Sequence, residues 1–114
     1  MIVERWNLGE LADALDAVPD GTVFHHGFVE GYSYRGDYSD VALLHGHDVP
    51  VETMRAVVRG LIGATVEGWK GGMFAMTRYT DVWITSGPDR GMSETMGSLM
   101  WALMLASATP KPSA

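Results

Sequence analysis

The sequence predicts an α+β domain, with an antiparallel sheet of about four or five strands and three helices that pack on one face of the sheet and at an interface between copies. Two segments place apolar residues three and four positions apart, which is typical of amphipathic helices, and a third helical segment near the end of the chain is apolar nearly all around its axis. Segments rich in β-branched and aromatic residues lie between them, and three of these follow one another without an intervening helix, which favours an antiparallel sheet. At 114 residues the chain has room for one domain, predicted over 1–106, and the Pro- and Ser-rich segment 107–114 is expected to be a disordered tail.

The first half of the chain is predicted to contain two helices and two strands. Asn7 precedes a run of leucines at helical spacing, and Glu10 stands three positions after it, which is the pattern of a capping box. Pro50 suits the first turn of a second helix, and Gly63 is a natural helix terminator. In chain order, we expect a helix over 7–18, a strand over 22–29, a loop or irregular strand over 30–39, a strand over 40–45 and a helix over 50–63.

The second half is predicted to be a β-meander followed by one helix. From Thr65 the apolar residues take the period of strands, in the segments TVEGW, MFAMTRY and DVWIT. Ser93 can cap a last helix that runs to about Ala106, and its apolar residues lie nearly all around the helix axis. Because a helix that is apolar on every side must be covered on every side, we expect a homo-oligomer through 93–106. The alternative is that this helix is central to the core of the monomer.

The composition excludes several classes of function. The 14 acidic residues outnumber the 8 lysines and arginines and give a net charge of −6, so duplex nucleic acid is not an expected partner. The absence of cysteine excludes disulfides and zinc–thiolate sites. Because there is no signal-peptide pattern and no apolar run of about 18 residues, we expect no membrane association and a cytoplasmic location.

The stretch GYSYRGDYSD, 31–40, is the first candidate for ligand binding. The guanidinium of Arg35 is a planar fork of donors that suits phosphate or carboxylate. Tyr34 and Tyr38 offer rings on which a base can stack, with hydroxyl groups left to bind a sugar. The alternative is a surface strand, with packed tyrosines and Arg35 in an exposed ion pair.

The stretch GWKGGMF, 68–74, is the second candidate. Consecutive glycines let the backbone approach a ligand closely and present N–H groups to an anion, and Lys70 adds a charge. The alternative is a tight hairpin with Lys70 at its tip, and the P-loop spacing is absent. The predicted ligand-binding residues of the two stretches and their flanks are Tyr34, Arg35, Gly36, Tyr38, Trp69, Lys70, Gly71, Gly72, Phe74, Met76 and Arg78.

The four histidines are candidates for a metal site. His45 and His47 lie on the same side of a strand with Asp48 next to them, and His25 and His26 precede the tyrosine-rich stretch. Two or three of these histidines, with Asp48 or Asp81, are residue types that hold a divalent metal. The HEXXH pattern and other zinc signatures are absent, so the sequence favours structural histidines over a metal site, and no cofactor is expected. No catalytic residue is identified, since there is neither a cysteine nor a G-x-S-x-G motif.

Two motifs resemble those of a known family. S-Y-R-G-x-Y at 33–38 and G-[YW]-K-G-G-x-[FY]-x-M at 68–76 are similar to motifs of small, mostly uncharacterised proteins encoded by bacterial viruses and some bacteria. The likeness covers about 21–86. The chain departs from the family in Tyr32, where a histidine is common, and in its methionine-rich last helix. In size and site chemistry, the chain is also similar to viral sponges that sequester nucleotide second messengers of bacterial immunity.

The residues and the resemblance together predict non-catalytic sequestration of a small, anionic, nucleotide-derived ligand. If the protein is viral, its location would be the cytoplasm of the infected host cell. Two other functions stay open. One is a metal-assisted phosphoesterase that uses His45, His47 and Asp48. The other is an inhibitor that binds a host defence protein through exposed aromatic residues.

Overall fold

The computed structural model describes residues 4–33, 40–67, 72–85 and 93–110. Within these ranges it contains three helices and seven strands, which confirms the predicted α+β class. The helices are α1 (Leu8–Asp16), α2 (Val51–Leu61) and α3 (Ser98–Ala106). The strands are β1 (Val23–Ser33), β2 (Asp40–Pro50), β3 (Thr65–Glu67), β4 (Met73–Ala75), β5 (Asp81–Thr85), β6 (Ser93–Thr95) and β7 (Ala108–Thr109). None of these helices is long and apolar enough to cross a membrane.

The main sheet has five strands in the order β6-β5-β2-β1-β7. Its pairs are antiparallel except for β2 and β5, which run parallel, so the sheet is mixed rather than purely antiparallel. Parallel strands need a crossover connection, which α2 and the small β3–β4 sheet supply here. The predicted meander is therefore divided between two sheets, because β5 lies beside β2 and not beside β4.

A long hairpin of β1 and β2 is the centre of the sheet. Each strand has 11 residues, and they pair from Val23 opposite Pro50 to Ser33 opposite Val41, with an irregularity between Phe28 and Glu30. Both strands extend beyond the ranges predicted from the sequence. Residues 30–33, expected to belong to a loop or irregular strand, are held in extended conformation by cross-strand pairing, since strand propensity depends strongly on context.

The first helix forms as its sequence predicts. The Asn7 side chain accepts a hydrogen bond from the Glu10 N–H at 2.8 Å, and the Asn7 N–H donates to the Glu10 carboxylate at 3.2 Å, so the capping box is confirmed. Leu8, Leu11 and Leu15 are fully buried. They belong to one core cluster with the apolar faces of α2 and β1, and burial of each such side chain stabilises the fold by roughly 1.5–3 kcal/mol.

The last helix begins later than its sequence suggests. Ser93–Thr95 pair with β5 as an edge strand, so α3 starts at Ser98 after Gly97. One side of α3 packs inward, where Met104 is buried and the Trp101 ring centroid lies 5.6 Å from that of Phe24. The other side is exposed, with Leu99 at 75% and Leu103 at 60% of their accessible surface.

The chain after α3 returns to the sheet. Ala108 and Thr109, which fall in the segment predicted to be a disordered tail, form β7 and pair with Phe24 and Val23. The short strand covers one edge of β1, and it places the end of α3 beside the histidines that follow Phe24.

Candidate metal centre

Most of the residues predicted to bind a nucleotide-like ligand lie outside the described ranges. These are Tyr34, Arg35, Gly36, Tyr38, Trp69, Lys70 and Gly71, together with the side chain of Phe74. Gly72 is described and has a φ of 87°, the left-handed conformation that favours glycine. That conformation fits a turn before β4 and leaves the prediction of a ligand site untested.

The two remaining predicted ligand residues have structural contacts. Met76 is buried in the core cluster. Arg78 is on the surface, where its guanidinium donates to the Asp13 carboxylate at 3.1 Å and to the Gly9 carbonyl at 3.3 Å. Arg78 therefore links the turn before β5 to α1 through hydrogen bonds. An exposed ion pair of this kind contributes little stability, typically under about 1 kcal/mol.

Among the described residues, histidine side chains lie together at the end of the hairpin where β1 begins and β2 ends. His26 lies opposite His47 in the register, and His45 is two residues before His47, which places both on one side of β2. His26 Nδ1 is 3.1 Å from His45 Nε2. One nitrogen from each of the three rings lies within 4.8 Å of the other two. We call His26, His45 and His47 the histidine centre.

The glycine between the two histidines of β2 allows close packing against β1. A Cβ atom at Gly46 would lie 2.6 Å from Cγ1 of Val29, nearer than real Cβ contacts come. A larger residue at this position would require the Val29 side chain to shift. Gly46 thus allows Val29 to pack closely against β2 between the two histidines.

A fourth histidine stands next to the histidine centre. The His25 ring centroid is 4.6 Å from that of His26 and 5.6 Å from that of His47. Its Nδ1 lies 2.9 Å from Oδ1 of Asp48. Because an ionised carboxylate only accepts hydrogen bonds, Nδ1 carries a proton and donates it, and in the neutral ring Nε2 then has the lone pair. This hydrogen bond lowers the pKa of Asp48.

The electrostatics of the centre favour the neutral form of His45. Partial burial lowers the pKa of His45, and the neighbouring rings of His47, His26 and His25 lower it further, because a positive charge on any of them would repel a second charge on His45. Neutral imidazole is the form that binds metal ions. His45 is therefore favoured in the form that has a lone pair for a metal ion.

The backbone of the histidine segment is held by the end of α3. The N–H of His26 donates to Oγ of Ser107 at 3.1 Å, and the N–H of His25 donates to the Ser107 carbonyl at 3.4 Å. Ser107 caps α3 and leads into β7. Both adjacent histidines are thus fixed at their main chain, which restricts where their rings can point.

Asp81, which the sequence also offered as a metal ligand, lies elsewhere. It is paired with Asp40 in the β2–β5 register, and His45 is further along β2, about 16 Å away at the usual rise of a strand. Burial raises the pKa of Asp81, and the nearby charge of Asp40 adds to this effect. Asp81 is therefore a half-buried carboxylate whose ionised form is disfavoured, and it is not part of the histidine centre.

This shift predicts a pH-dependent effect of Asp81→Asn. Because the pKa is higher in the folded chain, ionisation of Asp81 destabilises the fold. The cost is absent below the ordinary aspartate pKa of about 3.9 and grows as the pH rises through the higher folded pKa. In urea denaturation we expect Asp81→Asn to raise the free energy of unfolding near neutral pH and to leave it nearly unchanged near pH 3. The control Glu94→Gln changes an exposed carboxylate, and a loss of stability specific to Asp81→Asn at neutral pH would contradict the prediction.

No protein-family model, curated protein or solved structure matched the chain when it was compared with each of these groups. The resemblance of its two motifs to those of viral proteins therefore stays a prediction. Among the described residues, the histidine centre is the feature on which a function can be argued.

Proposed function

We propose that this protein binds a divalent transition-metal ion, with zinc as the expected ion, at His26, His45 and His47. The observation that carries this proposal is the convergence of three imidazole nitrogens within 4.8 Å of one another. With zinc–nitrogen bonds of 2.0–2.1 Å, the ligands of a tetrahedral site lie about 3.3 Å apart. The separation of 3.1 Å between His26 and His45 is close to that value.

The alternative to a metal site is a cluster of histidines held together only by packing and hydrogen bonds. A hydrogen bond between two imidazoles would also place His26 and His45 at this distance. Strand pairing also brings His47 near both rings, at centroid distances of 5.3 Å and 4.7 Å. What a metal site requires in addition is that one nitrogen of each ring faces the other two, and the three nitrogens lie within 4.8 Å of one another. His45 is half-buried, and this lowers its pKa. The lower pKa supports the proposal, because a proton competes with a metal ion for the ring nitrogen.

The test is a calorimetric titration with zinc on protein that carries no polyhistidine tag. We expect one zinc ion per chain for the wild type. His45→Gln keeps a polar side chain of similar length but removes the imidazole, and we expect it to weaken binding by at least about tenfold, since a ligand is lost. Glu94→Gln, on the edge strand β6, is the control and should bind as the wild type does. Equal affinity in His45→Gln and the wild type would contradict the proposal.

Sequestration of a nucleotide-derived anion is a second proposal, and one contact favours it. At the C-terminal end of α2, Cδ1 of Leu61 lies 2.5 Å from where a Cβ of Gly31 would be. Gly31 begins the first candidate stretch, and α2 and β3 precede the second stretch in the chain. The described residue Gly31 therefore lies against the helix that comes before the second stretch, and this contact supports the second proposal.

Thermal unfolding with a panel of cyclic and ADP-ribose-type nucleotides, with and without divalent metal, tests this second proposal. A ligand at 100 times its dissociation constant stabilises by about 2.7 kcal/mol. Recovery of the nucleotide intact after denaturation would support sequestration, and recovery of an altered nucleotide would support a phosphoesterase. If no nucleotide shifts the transition, sequestration is contradicted and an inhibitor of a host protein is the remaining candidate.

We also propose that the protein forms a homo-oligomer through α3. The exposed Leu99 and Leu103 lie one helical turn apart, and Ser98–Ala106 contains no charged residue. Because each copy has a net charge of −6, contact at an uncharged helix avoids the repulsion that other surfaces would bring. Light scattering should show an oligomer in the wild type and a monomer in Leu103→Glu, and a wild type that is monomeric at high concentration would contradict this.

A further inference from the structure

We infer that His25 is a fourth ligand of the histidine centre and that Asp48 orients it, so that four imidazoles enclose the metal ion. This inference rests on the proposed metal-binding function and deepens it. It assigns a role to the two residues next to the centre, and it decides whether a bound ion would keep a free coordination position.

The spacing of the rings fits a four-histidine site. When four imidazoles surround one zinc ion tetrahedrally, with bonds of 2.0–2.1 Å, the ring centroids lie about 5 Å apart. The centroid distances are 4.6 Å for His25–His26, 5.6 Å for His25–His47, 5.3 Å for His26–His45, 5.3 Å for His26–His47 and 4.7 Å for His45–His47. The distances that involve His25 fall in the same range as those among the other three rings. His25 therefore lies beside the other three rings, and its ring would have to move for a nitrogen to join the three that lie within 4.8 Å of one another.

The contact between His25 and Asp48 is the one a metal-ligating histidine usually makes. Such a histidine donates its second ring N–H to a carboxylate or carbonyl, which fixes the tautomer and the orientation of the ring. Nδ1 of His25 donates to Asp48 at 2.9 Å, which in the neutral ring leaves the lone pair of Nε2 for an ion. Asp48 has a φ of 55°, a left-handed conformation that aspartate adopts more readily than most residues other than glycine.

Closed coordination has a functional consequence. Catalytic zinc sites keep one position open for water or substrate, whereas structural sites are filled by four protein ligands. A four-histidine site would hold its ion without presenting a water molecule for hydrolysis. The centre would thus retain a metal ion, and the phosphoesterase alternative loses its nucleophile. Imidazole ligands also suit copper, and by the usual order of affinity Cu²⁺ would bind more tightly than Zn²⁺.

The experiment uses the full chain and Co²⁺ as a spectroscopic probe, with zinc competition to obtain affinities. We expect Asp48→Asn to weaken zinc binding by about 10–100-fold, as loss of such an outer partner does, and His25→Ala to weaken it at least as much. His25→Ala should also change the visible spectrum of bound Co²⁺. Free imidazole in the millimolar range should restore the wild-type spectrum by filling the vacated position. A merely structural role for His25 would not give this rescue.

The outcomes separate this inference from the function on which it rests. If His25→Ala and Asp48→Asn bind zinc as tightly as the wild type, with an unchanged Co²⁺ spectrum, His25 is not a ligand and the three-histidine site stands. If the wild type binds no metal, the proposed function itself fails. A matched control is Asp16→Asn, which changes an exposed carboxylate on α1 and should leave the affinity and the spectrum unchanged.

Discussion

Phe24→Ala is expected to lower the free energy of unfolding by about 3–5 kcal/mol, the usual cost of removing a buried aromatic side chain. Phe24 is fully buried, and its ring packs 5.6 Å from that of Trp101 on α3. It also pairs with Ala108 of β7 through the backbone. Truncation would leave a cavity between β1 and α3 that the short strand β7 cannot fill. Urea denaturation followed by circular dichroism gives the measurement.

The control for this prediction is Leu99→Ala on the opposite side of α3, measured at a protein concentration low enough to dissociate an oligomer. Leu99 is 75% exposed in the single chain, and substitutions at exposed positions usually change stability by less than about 0.5 kcal/mol. Equal losses in the two variants would contradict the described packing of α3. A loss in Leu99→Ala that grows with protein concentration would instead point to an interface at Leu99. Because Phe24 directly precedes His25 and His26, its loss should also weaken zinc binding.

Zinc is expected to raise the free energy of unfolding of the wild type by about 2.7 kcal/mol when present at 100 times its dissociation constant. The ion should bind the folded chain, where β1 and β2 hold the three rings together, more tightly than the unfolded chain. His45→Ala should abolish most of this increase, because His45 is 3.1 Å from His26 and its ring lies 4.7 Å from that of His47. Thermal unfolding with and without zinc provides the measurement.

Two comparisons make the zinc prediction specific. A chelator added in excess should return the wild type to its metal-free stability. Glu94→Gln should respond to zinc as the wild type does. Zinc that binds unfolded histidines would reduce the increase, so the decisive quantity is the difference between the wild type and His45→Ala. If His45→Ala gains the same stability from zinc, the ion binds elsewhere.

The fold was predictable where local chemistry decides it. Asn7 and Glu10 form their capping box, and the apolar faces of α1 and α2 are buried as their spacing indicates. The parallel pairing of β5 with β2 was not predictable, because short strands of similar composition can pair in several orders. Ser93–Thr95 looked like the start of a helix because serine is a favoured N-cap residue. Pairing with β5 makes this segment a strand instead.

The histidine centre was only partly readable from the sequence. The spacing of His45 and His47 placed both rings on one side of a strand, and the structure agrees. The role of His26 depended on the register of the hairpin, which brings it opposite His47 across a long connection. Asp48 was grouped with the metal ligands, whereas the structure gives it His25 as a hydrogen-bond partner. A pair of adjacent histidines in one strand and an H-x-H in the next was the signal that could have suggested the centre.

The most direct test of metal binding at the histidine centre is an anomalous difference map, collected at the zinc absorption edge from crystals grown with zinc. We expect one strong peak per chain, about 2.0–2.1 Å from ring nitrogens of His26, His45 and His47. A peak confined to other residues, or no peak at the three rings despite excess zinc, would contradict the proposal that this protein binds a metal ion there.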